Sequence, residues 1–201
     1  MTINDLIEIA RPFVKRREYR PAIELMEGKL KELPSTDYHA ILGQDLFQLT
    51  DSLAQWLDKF HRAACKAINV AALYCETNGF PINTDCWFID AFAYQRRGDL
   101  DDDDWLSDWD FDLPDSSFII TGCEDWQKAF EKNYAAARKK DAQSHLKLAG
   151  ALAEILFVLH VQDLFKRAHF RLAAMQSPCA KIPILATAHE WDLIAIAGKL
   201  N

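Results

Sequence analysis

The chain is predicted to be an α+β protein, mainly α-helical, with helices arranged around a small sheet of about three strands. Three observations predict it. Apolar residues recur at spacings of three and four through most of the first sixty positions and again from 144 to 175. Short runs rich in aromatic or β-branched residues stand at 86–94, 117–121 and 182–187. Half of the 201 residues are apolar and 26% are charged, ordinary proportions for a folded chain with a sizeable core. The expected organisation is a single domain over 1–201. Its helical part is 1–79, and the mixed part, 80–201, carries the sheet.

Thr2, Asp5 and Leu6 open a helix that is expected to loosen or end near Pro12, whose missing N–H interrupts the ladder. The pattern resumes from Ala22 to Leu33 and stops at Pro34, giving a short helical pair. Ala22, Met26 and Pro34 fall at repeat-like offsets, but Gly43 and Trp56 spoil a second copy, so no solenoid is expected. Ser35, Thr36 and Asp37 offer N-caps for the next helical region, where Leu42, Leu46, Leu49, Leu53, Leu57 and Phe60 form one amphipathic face. The helical signal continues from Ala63 to Tyr74 and stops at Asn78-Gly79, with Pro81 just beyond. Forty unbroken residues would make a rod of about 60 Å. A break between Thr50 and Cys65 is therefore expected.

The aromatic segment from Cys86 to Tyr94 favours a strand, Ser117 to Thr121 a second, and Ile182 to Thr187 a third. Pro183 places the third at an edge or a strand start. The second and third each run into a Thr-x-x-Glu sequence, Thr121 to Glu124 and Thr187 to Glu190, the pattern of a capping box. Each is expected to turn directly into a helix. The first such helix carries Trp126, Phe130 and Tyr134 toward Lys140; the other carries Leu193, Ile194, Ile196 and Ala197 and ends at Gly198. Between them, 144–175 forms one or two long apolar helices. Leu146 to Phe165 has the length of a membrane span, but Lys147, Glu154, His160 and Asp163 mark it as a core helix.

The net charge of −7 is unevenly distributed. Nine aspartates lie between Asp99 and Asp115, with no Lys or Arg among them, so the rest of the chain is slightly basic. Acidity is thus a property of one surface. Nucleic-acid binding is disfavoured, because Lys15-Arg16-Arg17 and Arg138-Lys139-Lys140 are short runs suited to helix ends. Five cysteines without CxxC spacing, and no signal-peptide-like apolar region, point to reduced thiols and a cytoplasmic location.

Three readings of the acidic segment compete. As a calcium loop it has Asp99, Asp101 and Asp103 at the first, third and fifth positions and Asp110 at the twelfth. Asp104 stands where the turn needs Gly, and the last ligand is Asp instead of a bidentate Glu, so no metal is assigned. As plain solvation it leaves Trp105, Leu106, Trp109, Phe111 and Leu113 unexplained. If 109–113 is extended, its apolar side chains share one face.

As a recognition surface for a basic protein partner, the carboxylates steer association and the aromatic rings supply the desolvated centre. The expected contact residues are Asp99, Asp101, Asp102, Asp103, Asp104, Trp105, Asp108, Trp109, Asp110, Phe111 and Asp112. This predicts a non-enzymatic cytosolic interaction protein, of the kind that inhibits a nucleic-acid-binding enzyme or neutralises a toxin as an immunity-type protein. No family motif accompanies that expectation.

Enzyme motifs are scarce. The chain lacks GxxxxGK, GxGxxG and GxSxG, and His189-Glu190 lacks a second histidine. His61 and Cys65, one turn apart, make only half of a metal site. Neither cofactor nor metal is expected. The alternative is a thiol enzyme. Cys123 and His189 hold matching places in the two Thr-x-x-Glu sequences and would share one sheet edge if their strands were neighbours. Glu154 and Asp163, inside an apolar helix, are either hydrogen-bonded core groups or pocket carboxylates, with Lys166 or Arg167 near enough to serve Asp163.

Overall fold

A computed structural model describes residues 1–99 and 104–198, which form five α-helices and one six-stranded sheet. The α+β class holds, with twice the expected number of strands. Helix α1 (Ile3–Arg16) starts from a capping box in which Thr2 and Asp5 exchange hydrogen bonds. It runs through Pro12 to Arg16, because Pro12 lies on the exposed side while Ala10 and Val14 hold the other side in the core. Helix α2 (Tyr19–Lys31) completes the pair.

The long helix expected from the leucine pattern is broken earlier than its sequence suggested. Gly43 adopts a positive φ of 75°, the Asp45 carboxylate accepts from the Phe47 N–H at 2.9 Å, and only 3-10 turns at Asp37–Ile41 and Phe47–Leu49 precede α3 (Thr50–Ala64). No break falls inside α3. Beyond it the chain is not helical: β1 (Ala72–Thr77) lies in the middle of the sheet and belongs to the part expected to be all-helical. Asn78 ends this strand instead of a helix. Its side-chain N–H donates to the Cys86 carbonyl, and its Oδ1 accepts from the Phe88 N–H, closing the return to β2 (Trp87–Tyr94).

The remaining strands are β3 (Phe111–Asp112), β4 (Phe118–Ile120), β5 (Ile184–Ala188) and β6 (Ala195–Ala197). The order is β3-β2-β1-β5-β6, with β4 also pairing β2 ahead of β3; only β1 and β5 are parallel neighbours. The helix expected after Glu190 is strand β6. Glu190 takes a left-handed φ of 64°, and the Thr187 hydroxyl donates to the Trp191 and Leu193 carbonyls, folding a tight turn in place of a cap. Ala195 and Ala197 then face the core and Ile194 and Ile196 the opposite side, a period of two that no helix satisfies.

Helices α4 (Glu124–Ala137) and α5 (Ser144–Ala174) follow the sequence reading, α5 as one unbroken helix. At the start of α4 the N-cap is Cys123, not Thr121, and the Glu124 carboxylate accepts from the Gly122 N–H at 3.0 Å. Apolar on all sides, α5 packs against β5 and β6 and is flanked by the other four helices. It is long and apolar enough to cross a membrane, yet its most apolar stretch is 89% buried inside the fold. Interlocked rings of Phe80, Trp87, Trp126, Phe130 and Phe157 join α4 and α5 to the sheet, each centroid within 5.8 Å of a neighbour.

The five α-helices pack on one side of the sheet. The opposite face carries Tyr74, Glu76, Phe88, Asp90, Phe92, Tyr94 and Leu185, which alternate with core residues along β1, β2 and β5. What covers it comes from the acidic segment.

Candidate functional site: an acidic lid and a carboxylate cleft

The chain leaves β2 at Tyr94 and returns at β3, and between them Trp105, Leu106 and Trp109 lie against the open sheet face. Trp105 and Leu106, on a 3-10 turn at Asp104–Ser107, pack against a small apolar cluster of Ala72, Tyr74, Tyr94 and Leu185. The Trp105 indole donates to the Asp99 carbonyl at 2.8 Å and meets the Tyr94 ring edge-on at 4.8 Å. Tyr94 in turn donates its hydroxyl to the Leu106 carbonyl at 2.7 Å. A sheet face without helices would expose these rings; the lid buries them.

The return limb is pinned just as closely. Asp110 accepts from the Gln95 backbone N–H at 2.7 Å and its side-chain amide at 3.0 Å, and these bonds hold its carboxyl below the usual range. The single apolar face expected for 109–113 does not form. Trp109 lies on Phe92 of the open face, centroids 4.8 Å apart, whereas Phe111 reaches round the sheet edge to Phe60 of α3 at 5.8 Å. Only two residues pair as strand, so the segment wraps the edge. Farther on, the Trp56 indole donates to the Ser116 carbonyl and the Ser117 hydroxyl to the Asp90 carboxylate.

The predicted contact residues therefore divide. Trp105 and Phe111 are anchors turned toward the protein. Trp109, 46% exposed, and Leu113, 37% exposed, remain at the surface together with Ile119 of β4, 48% exposed. Asp104, Asp108, Asp110 and Asp112 are exposed around them. Among the described residues, Asp108, Asp110, Asp112 and Asp115 form no ion pair with a Lys or Arg of the chain. Asp101, Asp102 and Asp103 lie outside the described residues, and with them two of the four aspartates placed at ligand positions of the would-be calcium loop. No group of three or more His, Cys, Asp or Glu is placed to hold a metal among the described residues.

Cys123 and His189 are not brought together. Their strands do end at the same edge, but β2 and β1 stand between β4 and β5, three strand spacings or about 14 Å. Cys123 is buried and donates its thiol toward the Ile120 carbonyl, and burial pushes its pKa up to about 12. That environment opposes a thiolate. His189 is exposed and meets Glu76, not a thiol, with Nδ1 to Oε1 at 3.4 Å. His61 and Cys65 do touch, Sγ to Nε2 at 3.5 Å, and among the described residues they belong to no group of three that could hold a metal. Asp163 is paired with Arg167 at 3.1 Å.

The edge where β1 and β5 end holds a second feature that local patterns did not reveal. A cleft of about 600 Å³ opens there between Thr77, His189, Trp191, Tyr134, Arg138 and Glu154, and a neighbouring one of about 480 Å³ shares its Arg138, Glu154 and Trp191 wall. Glu154 was legible in the sequence as a carboxylate in an apolar helix; its partners come from strands and helices far along the chain. The chain matches no family model, no curated protein and no solved structure.

Proposed function

We propose that the chain is a non-enzymatic interaction protein of the cytosol whose acidic lid docks a basic protein partner, as an inhibitor or immunity-type protein does. The observation that carries this reading is the division of labour in the lid. Trp105 and Phe111 fasten it through ring contacts to Tyr94 and Phe60, leaving Trp109 and Leu113 exposed beside the exposed carboxylates of Asp108, Asp110 and Asp112. A surface that only needed solvation would gain nothing from an exposed indole and leucine.

Carboxylates on a fastened lid attract a cationic surface at long range, and an indole already seated on Phe92 loses little rotamer freedom on contact. Phosphate backbones would be repelled, so a protein and not a nucleic acid is the partner. Five free thiols suit a reducing compartment.

The test starts from a partner captured from the native host at low salt and then measures association with purified proteins by stopped flow. Replacing Asp102, Asp103, Asp104 and Asp108 with Asn is expected to slow association at least about tenfold at low salt and to flatten its salt dependence. Trp109→Ala is expected to act on dissociation instead, accelerating it about thirtyfold, as loss of a central anchor does. Unchanged rates in both variants reject the reading.

A further inference from the structure

In open sheets with helices, ligands settle outside the carboxyl ends of parallel strands, and β1 and β5 are the parallel pair here. The 600 Å³ cleft lies at that edge. At its wall, Glu154 projects from α5 with a side chain only 10% exposed, and among the described residues its carboxylate makes no hydrogen bond. The cation paired with it among the described residues is loose: Arg138 Nη2 stays 3.6 Å away, and that guanidinium is mostly exposed and rests over the Tyr134 ring at 4.8 Å. Burial raises the Glu154 pKa.

A second group points the same way. Thr77 is 1% exposed and borders the cleft, yet among the described residues its hydroxyl has no hydrogen-bond partner. A buried hydroxyl and a nearly buried carboxylate left this way are each costly without a ligand. The rim adds Glu76, Asp90 and Glu190 against the single guanidinium of Arg138, so anions are repelled and cations drawn in. Tyr134 and Trp191 supply flat apolar walls.

We propose that this cleft binds an organic cation, a primary ammonium or guanidinium on a short carbon chain, with Glu154 as its counter-ion and the Thr77 hydroxyl accepting one of its N–H bonds. The bound cation takes the place that Arg138 fills loosely, and Arg138, already mostly exposed, moves away from Glu154 toward solvent. The site is separate from the acidic lid and stands whether or not the lid binds a protein. Its chemistry is met equally by a free amine or by an arginine or lysine side chain.

Calorimetric titration of the intact chain with agmatine and with N-acetyl-argininamide, at constant ionic strength, separates those sources. Saturable binding of agmatine alone identifies a free amine, and binding of both identifies a site that also accepts a side chain. Glu154→Gln is expected to weaken binding at least tenfold and Thr77→Val about threefold or more. The fourfold Asp→Asn variant of the lid is expected to bind as the natural chain does. Thermal melts of each variant verify folding, and the exposed Arg138→Gln variant, which removes the competing internal cation, should bind more tightly. The proposal is overturned if neither probe saturates, if Glu154→Gln binds at full strength, or if the lid variant loses the binding.

Discussion

Trp105→Ala should loosen the acidic lid without unfolding the protein. The indole makes one hydrogen bond, to the Asp99 carbonyl at 2.8 Å, and one edge-to-face contact, with Tyr94 at 4.8 Å. Each is worth about 1 kcal/mol, and because the ring is only partly buried the truncation should cost the lid about 2 kcal/mol in all. That is about a thirtyfold rise in the population of open lids. The amides that report it are those the closed lid protects: Asp108 N–H, bonded to the Trp105 carbonyl, Asp110 N–H, bonded to the Ala93 carbonyl, and Gln95 N–H, bonded to the Asp110 carboxylate. Hydrogen exchange at these three should accelerate about thirtyfold, while amides of α5 keep their protection. Gly98→Ala offers a second route to the same state, since a Cβ there would sit 2.3 Å from the indole ring and push it off its seat. Exchange at all three amides within about threefold of the natural chain would refute the anchoring role of Trp105.

Acidification should destabilise the fold through His160, whose pKa burial lowers from 6.5 to about 4. The folded chain then binds fewer protons than the unfolded one, so stability is complete above pH 6.5 and is lost as pH falls toward 4. The loss amounts to about 2 kcal/mol between pH 7 and pH 5, before smaller losses of the same sign from buried His61 and half-buried His169. Urea titrations should show His160→Gln losing about 2 kcal/mol less than the natural chain over that interval; equal losses would contradict the assignment. Alkylation at pH 8 should label exposed Cys65 first, with Cys75, Cys123 and Cys179 reacting only on unfolding. With its pKa near 12, Cys123 is about one part in ten thousand thiolate at that pH. Labelling of Cys123 as fast as Cys65 would revive a thiol enzyme.

Much of the fold was legible because its signals are local. The aromatic run at 87–94, the short apolar run at 118–120 and the uninterrupted apolar helix at 144–174 each declare themselves within one element. Strand β1 did not. Buried on both faces in mid-sheet, its ALYCET sequence lacks polar alternation and continues the Ala- and Leu-rich pattern of α3. Strand β6 was hidden by the Thr187-to-Glu190 spacing, which imitates a cap. Its alternation of Ala195 and Ala197 with Ile194 and Ile196 was the better guide. In the lid, interleaved rings revealed that something is anchored, but which rings anchor depends on Tyr94 and Phe60, contributed by other elements. The cleft shows the limit most plainly. Thr77, Arg138 and Glu154 come from three elements and carry no shared spacing.

An acidic lid held by its own aromatic residues has a consequence for binding. If the lid docks a partner as proposed, fastening the backbone in advance removes ordering entropy from the encounter, so the exposed carboxylates are expected to act chiefly on the rate of association and Trp109 on the lifetime of the complex. Lid and cleft lie at opposite ends of β2, with Phe92 beneath Trp109 at one end and Phe88 beside the cleft at the other.

The most direct measurement is the association rate with the captured basic partner across a salt series, for the natural chain and for the variant with Asp102, Asp103, Asp104 and Asp108 changed to Asn. A docking lid predicts a steep fall of the rate with salt for the natural chain, a shallow one for the variant, and convergence of the two at high salt. Superimposable curves at every salt concentration would contradict it.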